Sequence, residues 1–423
     1  DEPRYDETTP VDINSLVAFR VLSKFTGARP SETTSSDGEL WPSRPWSPEQ
    51  RKDSKQPSGF PEYPVRSVRG FNQIEQLVIC PDAYKEIGVD LVHLLSCYGS
   101  LEGTELTQHC LALLSLRLYR APLIAAVDLE TLLGGFNGNS SQEVESGALI
   151  YCDFSDGRDS ESVSLAKRCV TRDLEIHRIF LRNRYLLRVL EWVGQLQSQE
   201  LRDELGTLKK TSLRDYFAKL IEISTESHVA MAARLKLQEF QVAIAPGEGR
   251  DEDSNQRWRE LLGQWEHDGL SEIEQLTQIL LHAASPGGRA PAQVEQWCWT
   301  TGGMSNDPPH RPYSLLAGSV KHRSTWRYAP TDQLLTALLL GCFVVGRPGE
   351  DLTVAEMRFG ELIEVMKLRY GICIDVPPGD LTDSVSLRTA ERNRGYFAQK
   401  LQMLGCFDGL SDDSHFQMVR RPR

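Results

Sequence analysis

Arginine recurs through one stretch of this sequence at helical spacing. Between Ser164 and Leu190, in SLAKRCVTRDLEIHRIFLRNRYLLRVL, stand Lys167, Arg168, Arg172, Arg178, Arg182, Arg184 and Arg188, opposed by only Asp173 and Glu175. On a helix of 3.6 residues per turn Arg178 and Arg182 share one side, Arg188 lies near them, and Arg168 and Arg172 precede them by a turn or two. A guanidinium presents a planar fork of donors that fits a phosphate, so such a ridge suits a nucleic-acid backbone. The competing reading is a solvated or internally paired face, because Asp and Glu number 59 against 47 Lys and Arg.

A second basic group, HRPYSLLAGSVKHRSTWRY, interleaves His310, Arg311, Lys321, His322, Arg323 and Arg327 with Tyr313, Trp326 and Tyr328. Cations among aromatic rings suit single strands or flipped bases, held by stacking and phosphate pairing. They suit equally a loop anchored to a partner protein by Trp and Arg, and both readings stay open. A third group, CDFSDGRDSES, collects Asp153, Asp156, Asp159 and Glu161. Hard cations take oxygen ligands of this kind, but the spacing fits no EF-hand loop, so an exposed acidic turn is expected. The nine histidines form no HxH or HExxH pattern, and GxSxG, GxxxxGK[ST] and GxGxxG are missing. The chain therefore reads as non-enzymatic, with no metal and no cofactor.

The elements that must carry these groups are mostly helical. Apolar residues at three-and-four spacing run through YKEIGVDLVHLLSCYG, ELTQHCLALLSLRLYRAPLIAAVDLETLLGGF, Ser162 to Ser198, SLRDYFAKLIEIS and ESHVAMAARLKLQEFQVAI. Thr211 or Ser212 can cap one helix, and Ser271 with Glu274 matches a capping box for another. GALIYCDFSDG and ICIDV read as short strands between turn residues. The expected organisation is an N-terminal segment and linker over 1–66, a helical domain over 67–250, a helical pair with the aromatic and basic loop over 251–330, and a compact domain over 331–423. Within the first segment Val11 to Gly27 could form a helix, and the Pro- and Ser-rich run after it, with Trp41 and Trp46, has linker composition.

Bulk properties bound the function. A chain of 423 residues has ample core for several domains. Its opening residues, DEPRYDETTP, are acidic and polar rather than patterned as a signal peptide. The nine cysteines are dispersed without a CxxC, the usage of a reducing cytoplasm. No apolar run is expected to reach membrane-spanning length; LLTALLLGCFVV, the closest, reads as a buried helix. A net charge of −12 excludes a uniformly basic coat and leaves local basic faces.

The C-terminal region holds the most specific pattern. Thr331 or Asp332 can cap a helix to Val345, and Thr353 with Glu356 has capping-box spacing for a second helix that Gly371 ends. In the third, Leu387, Ala390, Phe397, Leu401 and Leu404 fall on one side, and Arg388, Arg392, Gly395, Gln399 and Gln402 on the other. Gly405 stops it, and an extended piece follows the polar turn DGLSDD. The layout resembles a winged-helix domain, whose outward Arg and Gln can meet base edges and phosphates. Two features depart from that pattern: ICIDV lies between the second and third helices, and the wing is acidic. The region WRYAPTDQLLTALLLGCF…LRYGICID…NRGYFAQKLQMLGCFDGLSDDSHFQMV is also similar to C-terminal parts of proteins encoded in bacterial anti-phage defence islands.

That resemblance implies a cytoplasmic subunit of a larger assembly. The expectation is thus a mainly α, multi-domain protein with a small winged-helix-like C-terminal domain. It would contact DNA, with RNA left open, through Arg178, Arg182, Arg188, Lys321, Arg323, Arg388 and Arg392, and position other protein subunits away from any membrane. The alternative is a structural protein–protein scaffold without nucleic-acid contact.

Overall fold

A computed structural model of the chain describes residues 81–137, 149–245, 252–283, 290–304, 311–346, 352–406 and 417–422. The helix expected over Val11 to Gly27, Trp41, Trp46, His310 and the DGLSDD turn lie outside the described residues. Helices dominate. In chain order they are α1 (Pro81–Tyr98) and α2 (Gly103–Asn137), then after strand β1 (Ile150–Tyr151) the run α3 (Ser160–Gln195), α4 (Gln199–Thr211), α5 (Leu213–Ser224), α6 (Ser227–Ala243), α7 (Glu252–His267), α8 (Glu272–Ala283) and α9 (Ala290–Gly302). A hairpin of β2 (Leu316–Ser319) and β3 (His322–Tyr328) precedes α10 (Asp332–Cys342). Short strands β4 (Val344–Val345), β5 (Thr353–Val354) and β6 (Met357–Arg358) lead to α11 (Phe359–Tyr370), β7 (Ile372–Cys373), α12 (Ser384–Met403) and β8 (Met418–Val419).

The chain divides into two compact units: Asp1–Leu114 with Val344–Ala355, and Ser115–Phe343 with Glu356–Arg423. In the first, α1 buries Ile87, Leu91 and Leu94, and β4 pairs antiparallel with β5. The second is built around α3, whose Leu165, Cys169, Leu186, Leu190 and Val193 are buried. Against it pack α5, α8, α9, α12 and the β2–β3 hairpin. Beside that core Leu237, Ile244, Leu262, Trp265 and Ile279 form a cluster among α6, α7 and α8.

Several elements form where local chemistry says they should. Ser212 caps α5 through Asp215 N–H at 3.3 Å, and Thr331 caps α10 through Leu334 N–H at 3.4 Å. Ser271 and Glu274 form the expected box, Ser271 N–H donating to Glu274 Oε2 at 3.0 Å. Gly371 ends α11 at φ 66°, a conformation that favours glycine. The two expected strands meet across the sequence: Ile150 pairs with Ile372 and Tyr151 with Cys373, in parallel. Residues expected in the segments 67–250 and 331–423 therefore share one ladder.

Three expectations are corrected. The capping box at Thr353 and Glu356 does not form; Thr353 and Val354, both β-branched, are strand, and α11 starts at Phe359 with Glu361 accepting from Arg358 N–H at 3.0 Å. The region expected to be loop holds the β2–β3 hairpin, bulged where Gly318 takes φ 130°. Finally, Gly103–Val127 is long and apolar enough by length and composition to cross a membrane, and it is mostly buried inside the structure, as a core helix is.

Candidate nucleic-acid interface

Helix α12 carries the candidates Arg388 and Arg392, both exposed, and its start is set by Asp383. That carboxylate accepts from Val385 N–H at 3.1 Å and Ser386 N–H at 2.9 Å, satisfying donors that a helix start leaves free. Ala390, Phe397, Ala398 and Leu401 face inward, and the Phe397 ring lies 4.8 Å from Phe154 and 5.9 Å from Phe359. Burial of one such ring contributes about 2–3 kcal/mol. Asn393, fully buried, donates to Cys152 O and Ile374 O, each at 2.9 Å, and accepts from Phe154 N–H at 2.9 Å. One amide thus ties α12 to the backbone beside β1 and β7. Gly405 turns the chain out of the helix at φ 74°. Solvent meets Arg388, Glu391, Arg392, Gly395, Gln399 and Gln402. Leu387, expected inside, is 45% exposed, because it stands at the margin of the buried arc in the first turn.

Most of the candidate cations, Arg392 of α12 among them, are engaged with carboxylates of the same chain. Arg392 reaches Asp159 at 3.1 Å and Glu161 at 2.5 Å. Partial burial pushes Asp159 up, but the Arg392 guanidinium and the backbone donors outweigh it and hold the carboxyl below its ordinary range. Hydrogen bonds from Arg392 and Thr389 hold Glu161 down as well. Along α3, Arg168 binds Asp383 at 3.1 Å, Arg172 binds Asp173 at 2.7 Å and Asp380 at 2.8 Å, Arg178 binds Glu175 at 2.6 Å, and Arg182 binds Glu274 at 3.3 Å. Arg188 is exposed and has no ion pair among the described residues. Arg388 is exposed and donates to Ser384 O at 3.2 Å. At the β2–β3 turn Lys321 is exposed, while Arg323 pairs with Glu295. The structure gathers Arg388 and Arg392 on α12, strings Arg178, Arg182 and Arg188 along α3, and puts Lys321 and Arg323 on the hairpin.

The aromatic residues beside the hairpin cations point inward. Tyr313, Trp326 and Tyr328 are buried; Trp326 donates to Ser319 O at 2.8 Å and packs on Trp299 at 5.2 Å. Their rings are core and are not free to stack on bases. The acidic turn is likewise a structural joint. Buried Asp153 accepts from Ser155 N–H and Oγ, Gly157 N–H and Ser162 Oγ at 2.7–3.3 Å. Asp156 sits at φ 54° and holds Lys400 at 2.8 Å. Among the described residues no group of three or more His, Cys, Asp or Glu side chains could hold a metal ion.

One buried polar network has no sequence signature. Asp173, fully buried, accepts from Arg172 and from Tyr328 Oη at 2.7 Å, and Tyr328 meets Tyr119 Oη at 2.7 Å. Burial pushes Asp173 up to about 7, against the pull of Arg172. Its only local hint is an acid inside an otherwise apolar helical face, at Val170, Asp173, Leu174 and His177.

A family model described as methylation-associated defense system protein MAD7 matches residues 67–423. The chain belongs to the MAD7 family. The match begins where the linker-like opening segment ends and takes in α12, the hairpin and the whole of α3. As a MAD7 family member it is a defence-system protein, which bears out the defence-island resemblance at that level. No curated protein and no solved structure matches the chain.

Proposed function

We propose that this chain is a non-catalytic, cytoplasmic subunit of a bacterial defence system that contacts DNA through the outward face of α12 and positions partner subunits there. The observation that carries the reading is that face: Arg388, Gln399 and Gln402 lie in solvent, beside Arg392 in its ion pairs with Asp159 and Glu161, on one side of a helix whose other side is fixed by Asn393 and Phe397. A rigid helix presenting Arg and Gln can enter a major groove, where those side chains read base edges. A winged-helix-like reading is supported by β6, which stands between α10 and α11 after β4 and β5 and pairs antiparallel with β8, Met357 to Val419 and Arg358 to Met418, while β7 intervenes between α11 and α12. β6 supplies a strand after the first helix, which ICIDV could not. The wing expected at DGLSDD lies outside the described residues.

The candidate α3 arginines enter this reading only through Arg188, since Arg168 and Arg172 hold the start of α12 and the turn before it, Arg182 holds α8, and Arg178 pairs with Glu175 of α3 itself. Carboxylates Asp153, Asp156, Asp159 and Glu161 are occupied by donors of their own chain, which supports a role without chemistry of its own. The eight cysteines among the described residues are free thiols, which supports a reducing compartment.

The test is a salt titration of duplex binding by the purified chain. Arg388→Glu is expected to lower affinity about tenfold and to reduce the log–log salt slope by about one. Absence of any salt-dependent DNA binding by the wild-type chain would falsify the reading.

The scaffold reading keeps one observation of its own. On α6, Met231, Leu235 and Val242 lie within one narrow arc and are 59%, 53% and 75% exposed. A protein partner retained through nuclease treatment by the wild type, and lost with Leu235→Asp, would favour it.

A further inference from the structure

We propose that Gly395 is the point at which α12 comes closest to the wall of a DNA groove, an inference that rests on the reading of α12 as the DNA-contacting helix. Glycine is the poorest helix former after proline, so a glycine deep inside a helix calls for a reason. The fold supplies none here. Gly395 is absent from the positive-φ positions, so any L-residue fits its backbone. A Cβ added to it would meet nothing within 4 Å. Gly194 on α3 shows the contrast: there a Cβ would run into Leu220 at 2.9 Å and Leu205 at 3.3 Å, and packing explains the glycine.

Gly206 and Gly263 are equally open. What sets Gly395 apart is its setting. It stands at the centre of the outward face, with Arg388 and Arg392 toward the helix start and Gln399 and Gln402 toward its end. Arg388, Gln399 and Gln402 can donate to guanine, adenine or phosphate, Arg392 adds positive charge from within its pairs with Asp159 and Glu161, and exposed Glu391 on the flank can accept from a cytosine amino group. A missing side chain in the middle of that ridge leaves a notch. Through it the helix backbone can reach van der Waals distance of a sugar or base edge, while the flanking side chains straddle the contact.

The experiment measures binding of a labelled mixed-sequence duplex, its single strand and the melting temperature for the full chain, Gly395→Ala and Gly395→Leu. Alanine is expected to raise the melting temperature while weakening duplex binding several-fold. Leucine is expected to weaken it about tenfold or more, the scale of inserting unwanted bulk into a packed contact. The salt slope is expected to stay at the wild-type value in both, since no charge is removed. Duplex binding as tight as wild type in both variants overturns the inference and leaves the reading of α12 standing. Equal losses on the single strand overturn the groove contact, and a lowered melting temperature in the alanine variant overturns it too, because the chain's own packing then needs the glycine. Failure of the wild-type chain to bind duplex at all sinks the underlying reading, and this inference with it.

Discussion

At the scale of the residue, the arginines of this chain are divided between two jobs by what stands opposite them. Arg172 is the clearest structural case, since its guanidinium neutralises a carboxylate that water never reaches. Removing one member of such a pair strands the other in a low dielectric. Asp173 is also the residue with the most informative pH dependence. Burial raises its folded pKa to about 7, above the unfolded value of about 3.9. The folded state therefore holds this proton more tightly. The stability from that proton is complete below the unfolded pKa and is lost as pH rises through about 7. Asp173→Asn is expected to abolish this loss, so its melting temperature relative to wild type should climb between pH 5 and 8; a constant difference would refute the assignment. The candidate arginines could be read from the sequence one by one. Their distant partners could not, because Asp380 and Glu274 lie far from Arg172 and Arg182 along the chain.

At the scale of the element, α12 was legible in outline. Its two-sided pattern placed Ala390, Phe397 and Leu401 inside and Arg388, Gly395, Gln399 and Gln402 outside, as found. Asn393 escaped notice because a wheel treats an amide as surface. Its three hydrogen bonds instead lock α12 to the backbone beside β1 and β7. Asn393→Ala is expected to cost about 3 kcal/mol, since it leaves buried carbonyl and amide groups unpaired. Chemical denaturation would check it, and a loss under about 1 kcal/mol would mean that water replaces the amide. The Thr353 box failed for a related reason: spacing alone cannot tell a cap from two residues that pair as strand.

At the scale of the whole chain, a net charge of −12 coexists with an extensive set of ion pairs in the second unit. Asp383 is held far below the ordinary carboxylate range by Ser386 and then by Arg168, and Asp159 and Glu161 are held down as described above. Depressed carboxylates contribute stability that is present above their unfolded pKa, about 4, and is lost as pH falls through the folded value. The chain is therefore expected to lose stability steeply below pH 4. Replacing Glu161 by Gln together with Asp159 by Asn, which retains a capping side chain, should make that fall shallower; an unchanged acid limb would show that these pairs do not hold the unit together.

The sequence by itself determined the helical class, several helix starts and stops such as Ser212, Ser271 and Gly371, the polar outward face of α12 and the absence of recognisable catalytic motifs. These follow from interactions within a turn or two of chain: periodicity, caps and left-handed glycines. Only the tertiary structure decided which cations remain available to a partner, that the hairpin's aromatic rings are core, and that strands two residues long pair across more than half the described chain. Such contacts join residues brought together by the closing of long loops, and two-residue strands and single ion pairs leave no local pattern to announce them.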